Sequence, residues 1–600
     1  MLRYAGYKSG FGIEIQQACV RAHALLRIRI RVMNMNGAQT IVAFLEGKGV
    51  NPAFGYPGGP ILVLYDAIYQ ADFPHVLTRH EQGAVHAAEG FAKVTGRPGV
   101  VIATSGPGAT NLVTGIADAF LDSVPLFAIT GAVARNCTGK DAFQEADITG
   151  ITQPITKYNY LVMDPADLLP TLEEAWNLTT DGRPGPVLVN VPKDILAAQI
   201  PENTASAVSV MRHRPPRKKT ETQVLSVFEA LKNAKHPLLL AGGGVIISDG
   251  ASALMQRFVE ATGIPVATSM MAKGVIADSH PQYLGMVGMH GTPQANSAIG
   301  NCDLLLAVGC RFSDRIIGDP DKYNMNRERI VIHVDIDPAE IGKNIRPTIE
   351  IEDDAANFFA HILRHMPDYD FRTAWSEWIS KMQAKEERFH ELTSELVVLD
   401  DKLLPEAVVY EISQAYKGKN PILVTDVGQH QMFASQYFEV ESPRSFLTSG
   451  GLGTMGFGLP AAIGAAIADP ERPVVLFVGD GGIQMTIQEF GTLQNLGLNV
   501  KVVIMDNQQL GMVRQWQELF FGKRYSQSIL DNNPNFIQIA DAYGLKGGRA
   551  TNAQEFRENL AKMLSSEEPY VFHVILDAQE MVYPMIPPGK NPEDIIMPGM

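Results

Sequence analysis

A chain of 600 residues is too long for one hydrophobic core to grow efficiently, and its length predicts about three or four domains. With 46% hydrophobic and 19% charged residues it has ample apolar material for those cores and lies far from the composition of a disordered chain. The formal charge of −15 opposes a phosphate-backbone footprint, and no apolar run approaches the roughly 18 to 20 residues of a membrane helix, so neither nucleic acid nor membrane is expected as a partner.

Cys19, Cys137, Cys302 and Cys310 are scattered without CxxC spacing, which argues against a zinc site or a disulfide framework and for a reducing cytoplasm. The first 34 residues carry Arg3, Arg21, Arg27, Arg29 and Arg31 with only Glu14 opposing them, a pattern that resembles an organellar transit peptide. The plainer reading is an upstream start codon, because Met33 and Met35 directly precede the helical periodicity of Ile41, Val42, Phe44 and Leu45. Residues 1–34 are therefore excluded from the expected fold.

Residues 35–199 alternate β-rich runs (Val100 to Thr104, Leu126 to Thr130, Val187 to Val191) with Ala-rich helical stretches, the pattern of a parallel sheet covered by helices. Within them His75 to Thr78 reads as a strand and Val85 to Thr95 as a helix that Glu81 would start. An acid there compensates the helix dipole by about 0.3 to 1 kcal/mol, its default reading. Residues 200–220, with Pro201, Pro215, Pro216 and a basic cluster, read as a surface linker.

A second α/β unit spans 221–365, with strands at Pro237 to Ala241, Asp303 to Val308 and Ile330 to Val334. The glycine turns Gly242-Gly243-Gly244 and Gly309, the run Val287 to Gly291 and the strand-end Asp335 suit a dinucleotide. The full GxGxxG fingerprint is absent, so a packing turn is an equally good reading of the glycines and hydride transfer to NAD is disfavoured. Residues 366–402 are charged and helical and predict an exposed connecting helix.

The third unit, 403–578, carries strands at Ile422 to Thr425, Val474 to Val478, Lys501 to Met505 and Tyr570 to Ile575. Val478 runs into Gly479-Asp480-Gly481-Gly482, and the next strand ends in Asp506-Asn507-Gln508-Gln509. In a doubly wound sheet the carboxyl ends of the strands open onto the binding crevice, so Asp480 and Asn507 are expected to face one space. An Asp, an Asn and a diphosphate are the oxygen set that Mg²⁺ prefers, and the two glycines let a phosphate approach. A glycine turn with a chance Asn is the bland alternative. The glycine turns 104–111 and 448–455 both lead into small-residue helices, which suggests that the outer units arose by duplication. The fold class expected is α/β, with three doubly wound parallel-sheet domains.

Gly-Asp-Gly with an Asn at the end of the following strand resembles the signature of thiamine-diphosphate-dependent enzymes. The resemblance to acetolactate synthases covers nearly the whole chain after Met35, through Phe54-Gly-Tyr-Pro-Gly-Gly59, the Glu81 segment, Thr104 to Asn111, Asp141-Ala-Phe-Gln-Glu145, Gly182-Arg-Pro-Gly-Pro186, Val191-Pro-Lys-Asp194 and Gly511 to Trp516. It departs at Asp506, where the family has Asn, and around Ser269 to Gly274.

That resemblance implies thiamine diphosphate, Mg²⁺ and FAD as cofactors. Asp480, Asn507 and the main-chain carbonyl of Gln509 would hold the metal. Glu81 would hydrogen-bond the aminopyrimidine so that the cofactor acts as its own base; Met455 would wedge it into a V, with the Gly453 carbonyl accepting from its amine. Gln429 and His430 would contact the diphosphate, with Tyr56, Pro57, Asn111, Gly481, Gly482, Gly511 and Met512 completing the cofactor contacts. Gly58, Phe143, Gln144 and Lys193 match active-site residues near the substrate channel, and Trp516 and Val513 match the acceptor pocket. Arg183, Gly242, Gly243, Gly244, Met289, His290, Gly309, Arg311, Arg315 and Asp335 match the flavin contacts.

The implied reaction decarboxylates pyruvate and transfers the hydroxyethyl group to a second pyruvate or to 2-oxobutanoate, the first common step towards the branched-chain amino acids. It also implies a homodimer or homotetramer, with Glu81 of one subunit serving Asp480 of another, and a small regulatory subunit. The segment Gln515 to Tyr525 and the tail 579–600 are expected to form a lid. Pyruvate oxidase, disfavoured by Trp516, Phe143 and Gln144, and glyoxylate carboligase, disfavoured by Glu81, are the rival enzymes. A non-catalytic nucleotide-binding regulator is disfavoured by Glu81, Asp480 and Asn507 together.

Overall fold

The computed structural model describes residues 35–201, 221–318, 323, 329–590 and 594–597. The N-terminal extension, most of the linker 200–220 and the end of the tail lie outside the described residues. The chain divides into two compact units, 1–88 with 98–212, and 89–97 with 213–600.

The first unit is built on strands β1 (Ala53–Tyr56), β2 (His75–Leu77), β3 (Gly99–Ala103), β4 (Leu126–Ala132), β5 (Tyr158–Leu161) and β6 (Pro186–Pro192). They form one sheet in the order β2-β1-β3-β4-β6-β5, with every neighbouring pair parallel. Parallel neighbours need crossover connections, and helices returning over the faces explain why β3 and β6 are buried at every position. On one face Phe44, Phe127 and Trp176 pack ring against ring, with centroids 5.5 to 6.1 Å apart. The helix Gly37–Gly47 that carries Phe44 begins in a reciprocal capping box between Asn36 and Gln39.

The second unit holds two sheets. The first comprises β7 (Pro237–Ala241), β8 (Val266–Thr268), β9 (Tyr283–Met286), β10 (Leu304–Val308), β11 (Ile330–Asp335) and β12 (Ile349–Glu352), in the order β12-β11-β10-β7-β8-β9. The other comprises β13 (Ile422–Thr425), β14 (Phe446–Leu447), β15 (Val474–Gly479), β16 (Val500–Asp506), β17 (Lys546–Ala550) and β18 (Tyr570–Ile575), in the order β14-β13-β15-β16-β18-β17. All neighbours are again parallel. The three parallel sheets are those expected from the alternation of strands and helices, and the outer two share one strand order, as a duplication would leave them.

Strand order locates the crevices. The chain moves from β1 to β2 on one side and then crosses to β3 on the other, so the sheet order reverses between β1 and β3; the same reversal falls between β7 and β10 and between β13 and β15. Ligands of open α/β sheets sit at such switch points, beyond the carboxyl ends of the strands.

Glu81 starts its helix, Glu81–Thr95, as expected. One local expectation is revised. The connector expected to be exposed is the helix Ser376–Thr393, and its start is anchored: Trp375 and Trp378 are buried, donating through their indole N–H groups to the carbonyls of Ala234 and Pro237, each at 3.0 Å. The interleaved charges describe its outer face and hide the two anchors. The segments expected to form a lid carry buried anchor points among the described residues. Gln515 is buried in the helix Gly511–Phe520, and in the tail Val582 and Met585 are buried while the Ile586 N–H donates to the Met289 carbonyl at 2.8 Å. No described helix is long and apolar enough to cross a membrane.

Candidate active site

In the first unit, the β1/β3 switch point gathers Tyr56, Pro57 and Gly58, which follow β1, and the turn 104–108, which follows β3. Gly58 is pressed on Thr104, since a Cβ there would lie 2.5 Å from the threonine methyl. Glu81 opens its helix 9% exposed, and Asn111 Nδ2 donates to Glu81 Oε2 at 2.9 Å. A Cβ on Gly108 would stand 3.1 Å from Glu81 Oε1, so the glycine turn closes over the carboxylate. Gln144, at φ +62, backs onto the same turn: a Cβ on Gly106 would lie 2.9 Å from Gln144 Cα.

Phe143 is 88% exposed, on a loop pinned by Glu145, whose carboxylate accepts from the N–H groups of Gly139 (2.5 Å) and Ala142 (2.9 Å). Those backbone bonds hold the Glu145 carboxyl below its ordinary range. Lys193 opens the helix Lys193–Ala197 and is exposed, and Arg183 Nε donates to Ser123 Oγ at 2.8 Å.

In the second unit a cleft of about 610 Å³, including its open mouth, lies at the β13/β15 switch point. Of the residues singled out in the sequence, Gln429, His430, Met455, Asp480, Gly481, Gly482, Asn507, Gln509, Gly511, Met512 and Val513 line it. Gly453 and Trp516 do not. Gly453, at φ +74, heads the turn before Met455 and donates to Ser449 Oγ at 3.1 Å, while Trp516 stacks edge-on with Phe520.

Register explains the convergence. Gly479 pairs with Met505, so Asp480 and Asp506 leave their strands at the same level. Asn533 Nδ2 bridges them, donating to Asp480 Oδ2 at 2.6 Å and to Asp506 Oδ1 at 3.1 Å. Burial, then the charge of Asp506, pushes the Asp480 carboxyl up to about 7. Burial also acts upward on Asp506, but His573 Nε2, 2.8 Å from its Oδ2, together with Gln508 N–H and Asn533 outweighs it, and that carboxyl lies below its ordinary value. The departure from Asn at 506 thus comes with an imidazole partner. An isolated bridge between Gln509 and Ile529 engages the Gln508 carbonyl and the Leu510 N–H, which turns the Gln509 carbonyl the other way.

Sequence reasoning missed the residue that shapes the wall. Asp426, fully buried at the end of β13, accepts from the N–H groups of Val427 (2.9 Å), Gly456 (3.0 Å) and Gly458 (2.8 Å), and so fixes the turn that presents Met455. Asn533 and His573 were missed too. Nothing in their spacing marks them, because each meets its partner only across the folded sheet.

At the β7/β10 switch point, Gly242 and Gly244 pack backbone to backbone on Gly309, with Gly244 N–H donating to the Gly309 carbonyl at 3.1 Å. Only glycines allow the two loops this close an approach. Met289 N–H donates to the Arg315 carbonyl at 3.0 Å, and Arg311 is half-buried and Arg315 exposed. Asp335, at the end of β11, is buried. His290 is buried with its Nδ1 3.3 Å from the Pro584 carbonyl, and burial pushes its imidazole down to about 4.

Three family models match the chain: the N-terminal thiamine pyrophosphate binding domain over 35–151, the central domain of thiamine pyrophosphate enzymes over 224–362, and their C-terminal thiamine pyrophosphate binding domain over 426–574. A Methanocaldococcus jannaschii protein described as a probable acetolactate synthase large subunit is 44% identical, over 94% of this chain and 95% of its own. The acetolactate synthase large subunit of Lactococcus lactis is 43% identical over 94% and 96%, and the isozyme 2 large subunit of Escherichia coli is 42% identical over 94% and 99%. The chain belongs to the acetolactate synthase family of thiamine-dependent enzymes.

The residues of the acetolactate synthase cleft fit the diphosphate end of thiamine diphosphate and a divalent cation. His430 lines the cleft with a buried Nε2 that has no partner among the described residues, and burial, opposed by a backbone bond at Asp426, pushes the ring down to about 3, so it is a neutral imidazole at physiological pH. A Cβ on Gly511 would overlap Gln429 Oε1 and stand 2.8 Å from Asn507 Nδ2, so a larger residue would displace that pair of amides. Asp506 has His573 beside it, whereas Asp480, buried next to Asp506, has only the Asn533 amide and leaves a place where a divalent cation would supply positive charge.

Proposed function

We propose that this acetolactate synthase family member decarboxylates pyruvate and joins the two-carbon fragment to a second pyruvate, forming 2-acetolactate, or to 2-oxobutanoate, forming 2-aceto-2-hydroxybutanoate. The observation that carries the reading is the convergence of Asp480, Asn507 and the Gln509 carbonyl with Met455 and His430 in one cleft at a switch point. Bound thiamine diphosphate supplies a carbon nucleophile and an electron sink for loss of CO₂.

The chain's own residues bind, orient and shield. Asp480, Asn507 and the Gln509 carbonyl would hold Mg²⁺, with Gln429 and His430 lining the diphosphate side of the cleft. Glu81, kept in place by Asn111, accepts and returns a proton at the pyrimidine end, and Met455, fixed through Asp426, presents an apolar wall. Gly58, Phe143, Gln144 and Lys193 serve the substrate channel, and Trp516 with Val513 selects the acceptor. FAD would be held at the central switch point by the glycines 242–244 and Gly309 with Met289, His290, Arg311, Arg315 and Asp335. The exposed Phe143 of the Glu81 half-site supports a homodimer or homotetramer in which each site is completed by a second copy. The large-subunit names of the relatives support a small regulatory subunit, and the cysteine usage supports a cytoplasmic setting. Domain limits at 35–199, 221–365 and 403–578, joined by 200–220 and 366–402 with a tail at 579–600, complete the reading.

The test is acetolactate formed from pyruvate by the purified protein with thiamine diphosphate, Mg²⁺ and FAD under argon, beside Glu81→Gln. One acetolactate per CO₂, largely lost in the variant, is expected. Acetaldehyde, or product only in the presence of oxygen, would replace this function with a decarboxylase or an oxidase.

A further inference from the structure

A line of buried side-chain amides joins the tail to the floor of the cleft. The Val582 N–H donates to Gln515 Oε1 at 2.9 Å, and Gln515 Nε2 donates back to the Val582 carbonyl at 3.1 Å. A backbone N–H and C=O cannot exchange roles, so Val582 dictates which end of the Gln515 amide is oxygen. Gln515 Oε1 also accepts from Gln429 Nε2 at 2.9 Å, a shorter bond than the 3.4 Å one that the same Nε2 makes to the Glu580 carbonyl of the tail. That leaves Gln429 Oε1 to accept from Asn507 Nδ2 at 3.0 Å. With its NH₂ engaged there, Asn507 offers its Oδ1 elsewhere. Gln515 is 0% exposed and Gln429 is buried, so water has little room to replace a reversed partner.

We propose that Gln515 is a positioning residue: anchored on Val582, it sets the polarity of the Gln429 amide and so makes Asn507 turn oxygen, not NH₂, towards the cation. The inference rests on the reading of Asn507 as a metal ligand. Gln515 touches neither cation nor cofactor; it acts through Gln429, as outer residues that orient metal ligands do. Docking of the tail at Val582 and the affinity for the metal are thereby linked.

The experiment measures Mn²⁺ binding to the full chain with thiamine diphosphate, by the paramagnetic resonance signal of free Mn²⁺, in Gln515→Met and Gln515→Glu. Gln515→Met keeps length and packing but neither accepts nor donates as an amide does, and should weaken Mn²⁺ binding about tenfold or more. Gln515→Glu keeps the acceptor that reads both Val582 N–H and Gln429 Nε2, and should lose less. A residue that merely fills space predicts the reverse order, since methionine suits a buried site and a carboxylate does not; that order would overturn the proposal.

The decisive background is Asn507→Asp, whose two equivalent oxygens leave no orientation to set. There Gln515→Met should no longer change Mn²⁺ affinity, and an unchanged tenfold loss would refute the relay. Should Gln515→Met fail to fold, Gln429→Met in the same two backgrounds asks the same question one link further along. Gln579→Ala removes the 3.0 Å bond from Arg514 to the tail without touching the amide line, and should leave Mn²⁺ binding unaltered. If Asp480→Asn leaves Mn²⁺ affinity intact, the metal-site reading itself fails, a result distinct from failure of the relay.

Discussion

Glu406 is the second residue of the helix Pro405–Ala415, buried beside the cleft that Pro405 and Glu580 line, and its Oε2 has no hydrogen-bond partner among the described residues. Burial, partly opposed by its own backbone N–H and reinforced by the charge of Glu580, pushes its carboxyl from 4.5 to about 8. Below pH 4.5 the group is neutral in both the folded and the unfolded chain. Between 4.5 and about 8 the unfolded chain gives up the proton while the folded one keeps it, so stability falls as pH rises through this window and levels off above it.

At about 1.4 kcal/mol per pH unit the full displacement corresponds to about 5 kcal/mol, and water entering from the adjoining cleft reduces it, so a loss of about 2 to 5 kcal/mol is expected by pH 9. Glu406→Gln keeps the shape and has no proton to lose. Thermal unfolding of the wild type and Glu406→Gln from pH 5 to 9 should therefore give nearly coincident midpoints near pH 5 and a gap that widens from there and levels off near pH 8, with the variant the more stable by roughly 4 °C or more at pH 9. Parallel profiles at every pH would refute the placement of a neutral buried carboxyl at this position.

In Gly511→Ala the new methyl displaces Gln429 and disturbs the Asn507 amide; titrating thiamine diphosphate in the presence of Mg²⁺ should show binding at least about tenfold weaker, at roughly 1 kcal/mol for each buried bond lost. Asp426→Asn sets an NH₂ against backbone N–H groups that now meet a carboxylate, and calorimetric unfolding should register a destabilisation of about 2 to 5 kcal/mol with impaired cofactor binding; an unchanged midpoint would show the Met455 turn to be held by other means. Chelation of divalent cations should abolish acetolactate formation and lower the unfolding midpoint, since a ligand at about 100 times its Kd stabilises by about 2.7 kcal/mol, and re-addition of Mg²⁺ should restore both.

Val474–Gly479 and Val500–Asp506 were legible because strands buried on both faces are written as unbroken apolar runs, and because glycine and aspartate must follow where a parallel sheet opens onto a phosphate. Glu81, Asp480 and Asn507 stood out for the same local reason, with residue type and strand end adjacent in the chain. The edge strand Lys546–Ala550 was not legible, since two glycines and exposed polar residues give it no alternating pattern and only its pairing with Tyr570–Ile575 makes it a strand.

The sequence by itself determined the alternation of strands and helices, the three parallel sheets and the cofactor-type loops at their ends, because each rests on residues close together in the chain. Tertiary structure alone decided that Asn533 would bridge Asp480 and Asp506, that His573 would pair with Asp506, that Asp426 would hold the Met455 turn, and that Val582 would read out through Gln515 to Asn507. A hydrogen bond has no signature in composition or period when its two ends meet only after the strands between them have been placed in register.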